Sequence, residues 1–278
     1  MRRPLRNLLV AALALTGSLA LAGCFGDSEP TVGIAPYVQE NVGGAGRLTQ
    51  YALYVTNSGA YREDVTASPV NVPEGWNVTL SNASLSLRGG GAGRPLVVNV
   101  VPPTNASLGR YTFGVQVGDR TVSLGLRLVA LPEEEARPRV GALVRTTGFY
   151  DNGTIFYHDM VEVMGRTDLR KGILGNDTDV EPLKVYVGGQ RRIPPPEPYA
   201  NAGYVPVIPG FDEALHGLRP GETRVVHVPP DLAYTYPGNE KHRLYGQALN
   251  FLIVLERVDE IPDETTTGSC PLPVCPTG

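Results

Sequence analysis

Polar and apolar positions begin to alternate clearly at Leu48-Thr49-Gln50-Tyr51-Ala52-Leu53-Tyr54-Val55, a pattern that predicts a half-buried strand. Asn57-Ser58-Gly59 then turns the chain. Further strands are predicted over residues 64–67, 76–81, 96–101, 111–117 and 121–131, with turn residues between them and no helical period. Short strands at this spacing predict a β-sandwich over 36–131. Trp76, at the end of Pro73-Glu74-Gly75-Trp76, reads as core rather than as a ligand platform. The polar, proline-bounded run from Leu131 to Pro138 predicts a linker over 132–137.

The pattern changes in the second half, over 138–261. There an apolar corner, Val207-Ile208-Pro209-Gly210-Phe211, enters a short helix at about 210–217. Glycine turns at Gly217 and Gly221 lead to another strand and to the aromatic-tipped loop Pro229-Pro230-Asp231-Leu232-Ala233-Tyr234. A last strand carries Phe251, Ile253 and Leu255 in alternation. The fold class expected is mainly β with an α+β part: a β-sandwich, then an antiparallel sheet wrapped on a short helix. Residues 262–278 form a Pro-, Thr- and Cys-rich tail.

Composition refines this picture at the two ends. The chain has 278 residues, room for two ordinary domains, and its 33 Gly and 25 Pro favour turns and strands over long helices. With a net charge of -4 and no basic block, nothing points to nucleic acid. Arg2, Arg3 and Arg6 precede an apolar stretch from Leu8 to Leu21, so 1–23 reads as a signal peptide. Leu21-Ala22-Gly23-Cys24 reads as a lipobox, with lipid carried on Cys24 and 24–35 as a spacer. The alternatives are an uncleaved anchor, or ordinary export with Cys24 free. Cys270 and Cys275 are expected to form a local disulfide; a metal site is the weaker alternative, because the four His are scattered. Sequons at Asn77, Asn82, Asn105, Asn152 and Asn176 fit a glycosylated surface protein or an unmodified bacterial one.

These residues carry two resemblances. Asn57/Gly59, Pro73/Gly75/Trp76 and Asn105–Thr112 resemble the Ig-like domains repeated in prokaryotic surface proteins. Nearly all of the second half resembles an FKBP-type peptidyl-prolyl cis–trans isomerase. Val144–Gly148 followed by Asp151–Phe156 looks like that family's first hairpin, and Pro182–Gly188 like the strand before its active-site helix. Val207-Ile208-Pro209-Gly210 matches its apolar pair and tight turn, and Tyr234 its loop tyrosine. His242-Arg243-Leu244-Tyr245-Gly246 is similar to the loop that closes the pocket. The resemblance implies Tyr234, Phe156, Phe211 and Phe251 as catalytic residues, and Val207, Ile208, Leu183, His242 and Leu244 as substrate-binding ones. Taken singly, Phe156, Ile208, Phe211 and Phe251 read as plain core rather than pocket; arriving together, in order, with Tyr234, they read as pocket. The family pattern is broken at Thr146 and Tyr157, where it has tyrosine and aspartate, and by an insertion at 189–206 whose prolines predict a polyproline II segment beside the site.

The expectation is therefore a prolyl isomerase without metal or cofactor, lipid-anchored on the outer face of the cell membrane, that assists the folding of exported, Pro-containing clients. The alternatives are a non-catalytic FKBP-like module that binds Pro-containing segments, and a purely structural surface protein. Oligomeric state is left open.

Overall fold

The computed structural model describes residues 31–91, 93–160, 172–173, 181–190 and 194–261. The signal segment, Cys24, Asn176, Cys270 and Cys275 lie outside the described residues. Among the described residues no helix is long and apolar enough to cross a membrane.

The N-terminal half is a two-sheet β-sandwich built from β1 (Val32–Pro36), β2 (Glu40–Gly43), β3 (Thr49–Asn57), β4 (Glu63–Val70), β5 (Asn77–Leu80), β6 (Ser84–Leu87), β7 (Gly93–Val101), β8 (Gly109–Val117) and β9 (Arg120–Leu128). One sheet runs β1-β3-β7-β5 and the other β2-β9-β8-β4-β6, antiparallel throughout except for β2 beside β9. The alternation read from the sequence sets the core. Tyr51, Leu53 and Val55 of β3 and Leu96, Val98 and Val100 of β7 meet Phe113, Val115 and Val117 of β8 and Leu124, Leu126 and Leu128 of β9. Trp76 packs on the edge of this core, against Tyr111 at 4.8 Å. The first sheet begins at Val32, inside the stretch read as spacer, because a five-residue strand finds a full antiparallel register on β3. Asn77, Asn82, Asn105 and Asn152 are exposed.

The C-terminal half contains β10 (Gly141–Phe149), β11 (Ile155–His158), β12 (Gly172–Ile173), β13 (Leu183–Tyr186), α1 (Glu197–Asn201), α2 (Pro209–Leu215), β14 (Thr223–Val228), a 3-10 turn (Pro230–Leu232) and β15 (Leu249–Asp259). The antiparallel order is β12-β11-β10-β15-β14, and β13 also pairs with β10. α2 covers one face of this sheet. Pro209 occupies the first helical turn, where a missing N–H costs nothing. Gly210 lets the helix close on the sheet, since a Cβ there would lie 2.5 Å from Val228 Cγ1. The helix thus begins where the Pro-Gly pair predicts it.

The opposite face of the same sheet is covered by the sandwich. Phe149, Leu252 and Met160 bury themselves with Tyr37 and Ala52, flanked by Tyr54, Val225 and Val254. Tyr37 stacks on Phe149 at 4.4 Å, and its hydroxyl donates to the Gly153 carbonyl at 2.7 Å. Gly153 adopts a positive φ of 81°, and a Cβ there would enter the Tyr54 ring. Arg47, just before β3, donates to both carboxylate oxygens of Glu222 and to the Gly217 carbonyl, and pairs with Glu135, which also takes Arg219. Gln50 Oε1 accepts the Val225 N–H, which covers part of the β14 edge. Within the 132–137 stretch, Ala136 is buried in the C-terminal core and exchanges backbone hydrogen bonds with Gly217 and Leu218. The two halves therefore share a continuous buried seam.

Candidate functional site

The two strands that flank β10 and one helix turn carry three phenylalanines into the same space. Phe156 comes from β11, Phe251 from β15 and Phe211 from the first turn of α2. Phe251 sits edge-on to both others, at centroid distances of 5.8 Å to Phe156 and 5.1 Å to Phe211. Gly148 on β10 makes room for this triad, because a Cβ there would meet the Phe156 ring at 2.6 Å. Together these rings form one side of a cavity of about 230 Å³.

The rest of the wall is apolar, with a polar rim. Val207 and Ile208 lead into α2, Leu183 opens β13, and Leu244 closes the far side. Tyr234 comes just after the 3-10 turn and stacks flat on His242, 4.3 Å between centroids. Asn239 Nδ2 donates to the Tyr234 carbonyl at 2.8 Å, which holds the loop that carries the tyrosine. All nine residues that sequence reading placed at a substrate site line this one cavity. The triad and Ile208 are also buried core members, so core and pocket are the same side chains seen from two sides.

Sequence reading did not place Thr146 and Tyr157 on this wall, having noted them only as departures, nor Val205 and Pro206 from the insertion. The prolines at 194–198 do not line the cavity. Pro196 has polyproline II dihedrals, but it serves as the cap of α1. The insertion folds back instead: Val205 donates its N–H to the Lys184 carbonyl and accepts from the Tyr186 N–H, adding a short parallel bridge to β13. Tyr186, Tyr199 and Tyr204 pack together behind it.

A polar pair stands behind Thr146 and Tyr157. Tyr157 donates its hydroxyl to Asp159 Oδ2 at 3.3 Å, and Asp159 Oδ1 accepts the Thr146 N–H at 2.6 Å. Asp159 is fully buried, and burial raises its carboxyl to about 7 against the hydrogen bond from Thr146 and the nearby Arg145 charge. The folded protein therefore holds a proton that the unfolded chain releases near 3.8. This contribution to stability is complete below that value and is lost as pH rises to about 7. Denaturant midpoints are expected to fall across that window in the wild type and to stay flatter in Asp159→Asn, whose amide oxygen still accepts from Thr146. An equal slope in both proteins would assign the pH dependence elsewhere. Among the described residues no group of three or more His, Cys, Asp or Glu is placed to hold a metal ion.

Residues 134–256 match the family described as FKBP-type peptidyl-prolyl cis-trans isomerase. The C-terminal half carries an FKBP-type domain. The match runs from the Glu135–Ala136 segment through β15 and contains every residue of the cavity described above. No curated protein matches the chain. Among solved structures, domains 4 and 5 of the S-layer protein SbsC share 16% identity over 35% of this chain, with a TM-score of 0.27. The chain covers 45% of that structure's length. WR4, an MSP family member of C. elegans, shares 8% over 36% of this chain and 99% of its own, at a TM-score of 0.26. The sialic acid binding region of a Streptococcus sanguinis SK1 adhesin shares 13% over 83% of this chain and 70% of its own, at 0.29. At such scores these likenesses bear on neither the fold nor the function of the FKBP-type domain or the sandwich.

Proposed function

We propose that this protein is a peptidyl-prolyl cis–trans isomerase, tethered to the outer face of the cell membrane through Cys24, that speeds the folding of exported clients. The observation that supports the reading most is the convergence of Phe156, Phe211 and Phe251 with Val207, Ile208 and Leu183 around one cavity, with Tyr234 at its rim. Rotation about an X-Pro bond faces a barrier of about 18–20 kcal/mol, because the planar amide loses its resonance. The reaction needs no nucleophile. An apolar, water-poor wall disfavours the charge-separated planar amide more than the twisted form, and so lowers the barrier. In this reading the phenylalanine triad takes the proline ring, and the Tyr234 hydroxyl, on a loop held by Asn239, donates to a carbonyl of the bound segment and fixes its orientation. The sandwich serves as an Ig-like spacer that carries the domain away from the lipid.

The test is exchange NMR on a short Leu-Pro peptide with the full mature chain and its Phe211→Ala/Tyr234→Ala variant. Acceleration is expected for the wild type. A fall of one to two orders of magnitude is expected in the variant, equivalent to about 1.4–2.8 kcal/mol of lost transition-state stabilisation. Peptide binding without acceleration would instead favour the binding-module reading, to which the polar Thr146 and Tyr157 on the wall point. Absence of both binding and acceleration would sink the proposal.

A further inference from the structure

We infer that Tyr157 is a second hydrogen-bond donor to the bound segment, and that Asp159 behind it sets whether that donor faces the cavity or the carboxyl group. The inference deepens the isomerase reading above and rests on it.

Polar groups on the cavity wall are few, and one of them is already committed. The Thr146 hydroxyl donates to the Leu252 carbonyl at 2.9 Å, within the sheet. Tyr157 is placed differently: it lies on the same wall, is half-buried, and its hydroxyl meets Asp159 Oδ2 at 3.3 Å. Burial and Asp159 hold its phenol above the ordinary tyrosine pKa, and Tyr234 adds to the rise. The two phenols are therefore within electrostatic reach of each other across one cavity.

Asp159 is held so that only its outer oxygen can change role. Oδ1 accepts the Thr146 N–H at 2.6 Å. The Asp159 N–H donates to the Thr146 carbonyl at 3.1 Å, and the Asp159 carbonyl accepts from Arg145 Nη1 at 2.7 Å. The carboxyl cannot turn without losing the Thr146 bond. Among the described residues Oδ2 has the Tyr157 hydroxyl as its partner. A phenol has one O–H to give and two lone pairs to receive. When Asp159 is ionised, Oδ2 only accepts, and the Tyr157 O–H is turned back to it. When Asp159 is protonated, Oδ1 still accepts from Thr146, so the proton sits on Oδ2 and is donated to the Tyr157 oxygen. The Tyr157 O–H is then released toward the cavity, where a carbonyl of the bound segment accepts it. Tyr157 touches the bound segment in this scheme, and Asp159 is a positioning residue.

The surrounding charges set where the change occurs. Arg145 of β10 faces Asp159 and pairs with Glu256 of β15 at 2.7 Å. Glu40 of the sandwich lines the same cleft as that pair and is itself bound to Arg110 at 2.9 Å. On its own segment Asp159 follows Tyr157 and the buried His158. Burial outweighs the Thr146 bond and the Arg145 charge, and the carboxyl is raised to about 7. The donor is thus open to the cavity below about 7 and withdrawn above it.

The test is exchange NMR on the Leu-Pro peptide from about pH 5.5 to about pH 8.5, with the full mature chain and its Tyr157→Phe and Asp159→Asn variants. Wild-type kcat/KM is expected to fall by about three- to tenfold as pH rises, the size of one modest hydrogen bond. The fall is expected in KM rather than kcat, because a bond to a neighbouring carbonyl is made in ground and transition states alike. Asp159→Asn is expected to keep the low-pH level throughout, since its amide accepts from Thr146 and donates to Tyr157 as the protonated acid does. Tyr157→Phe is expected to lose the slope and to sit about three- to tenfold below the wild type at low pH. Wild-type acceleration that Tyr157→Phe matches at every pH would overturn the inference and leave the isomerase reading intact. A slope that survives in Asp159→Asn would assign it to another group, such as His242 on the rim, and would also overturn it. No acceleration by any of the three proteins would remove it together with the reading on which it rests.

Discussion

Replacing Tyr37 by alanine is expected to destabilise both halves of the protein together, by about 3–5 kcal/mol, the range for losing a fully buried aromatic side chain. Tyr37 is 0% exposed, although it lies in a short connection between the first two strands of the sandwich. Its ring stacks on Phe149 of the FKBP-like sheet, and its hydroxyl satisfies the carbonyl of Gly153. Removing it opens a cavity between the domains and leaves that carbonyl without its partner. Calorimetry of the wild type is expected to show one transition, because Phe149, Leu252 and Met160 are buried together with Tyr37 and Ala52 of the sandwich. In Tyr37→Ala the midpoint drops by roughly 10 °C. Tyr37→Phe keeps the ring and is expected to lose about 1–3 kcal/mol, the cost of the unpaired carbonyl. A loss below about 1 kcal/mol in the alanine variant would mean that the seam does not couple the domains.

Phe251 is the second position with a large expected effect, and here stability and activity are expected to separate. The ring touches both other phenylalanines and is nearly buried. Phe251→Ala is expected to cost about 3–5 kcal/mol in unfolding free energy and to abolish acceleration of X-Pro exchange. Phe251→Leu fills most of the volume and is expected to cost less than about 1.5 kcal/mol. It removes the flat edge-on ring from the cavity, however, and acceleration is expected to fall by about tenfold or more, equivalent to about 1.4 kcal/mol. Chemical denaturation and peptide exchange measured on the same two samples decide the matter. If Phe251→Leu exchanges Leu-Pro as fast as the wild type, the ring serves the core alone.

The strands around Tyr51–Val55 and Phe113–Val117 were legible because each alternates against a single core, so local period-two patterning carries the whole signal. The Pro209-Gly210 corner was legible because proline and glycine state their backbone needs locally. The cavity residues were legible as a set because their order along the chain fits one family pattern, which the match over 134–256 supports. The second face of the FKBP-like sheet was read less well. Leu249 to Leu255 is interrupted only by Asn250, a near-continuous apolar run that marks a strand covered on both sides. Reading only Phe251, Ile253 and Leu255 accounted for one face, while Leu252 and Val254 faced the sandwich.

What the sequence by itself determined is the β-rich class, the sandwich and then a sheet with a short helix, and the set of side chains that meet in the cavity. Each of these depends on period, turn chemistry or motif order, which are properties of neighbouring residues. Tertiary structure decided which surfaces the two halves share, that Arg47 reaches Glu222 across 175 positions, and that Tyr157 on the cavity wall bonds to Asp159 behind it. It also decided that an insertion read for its prolines contributes Val205 and Pro206 instead. These contacts join segments with no common period, and only the packing of one sheet against two partners brings them together.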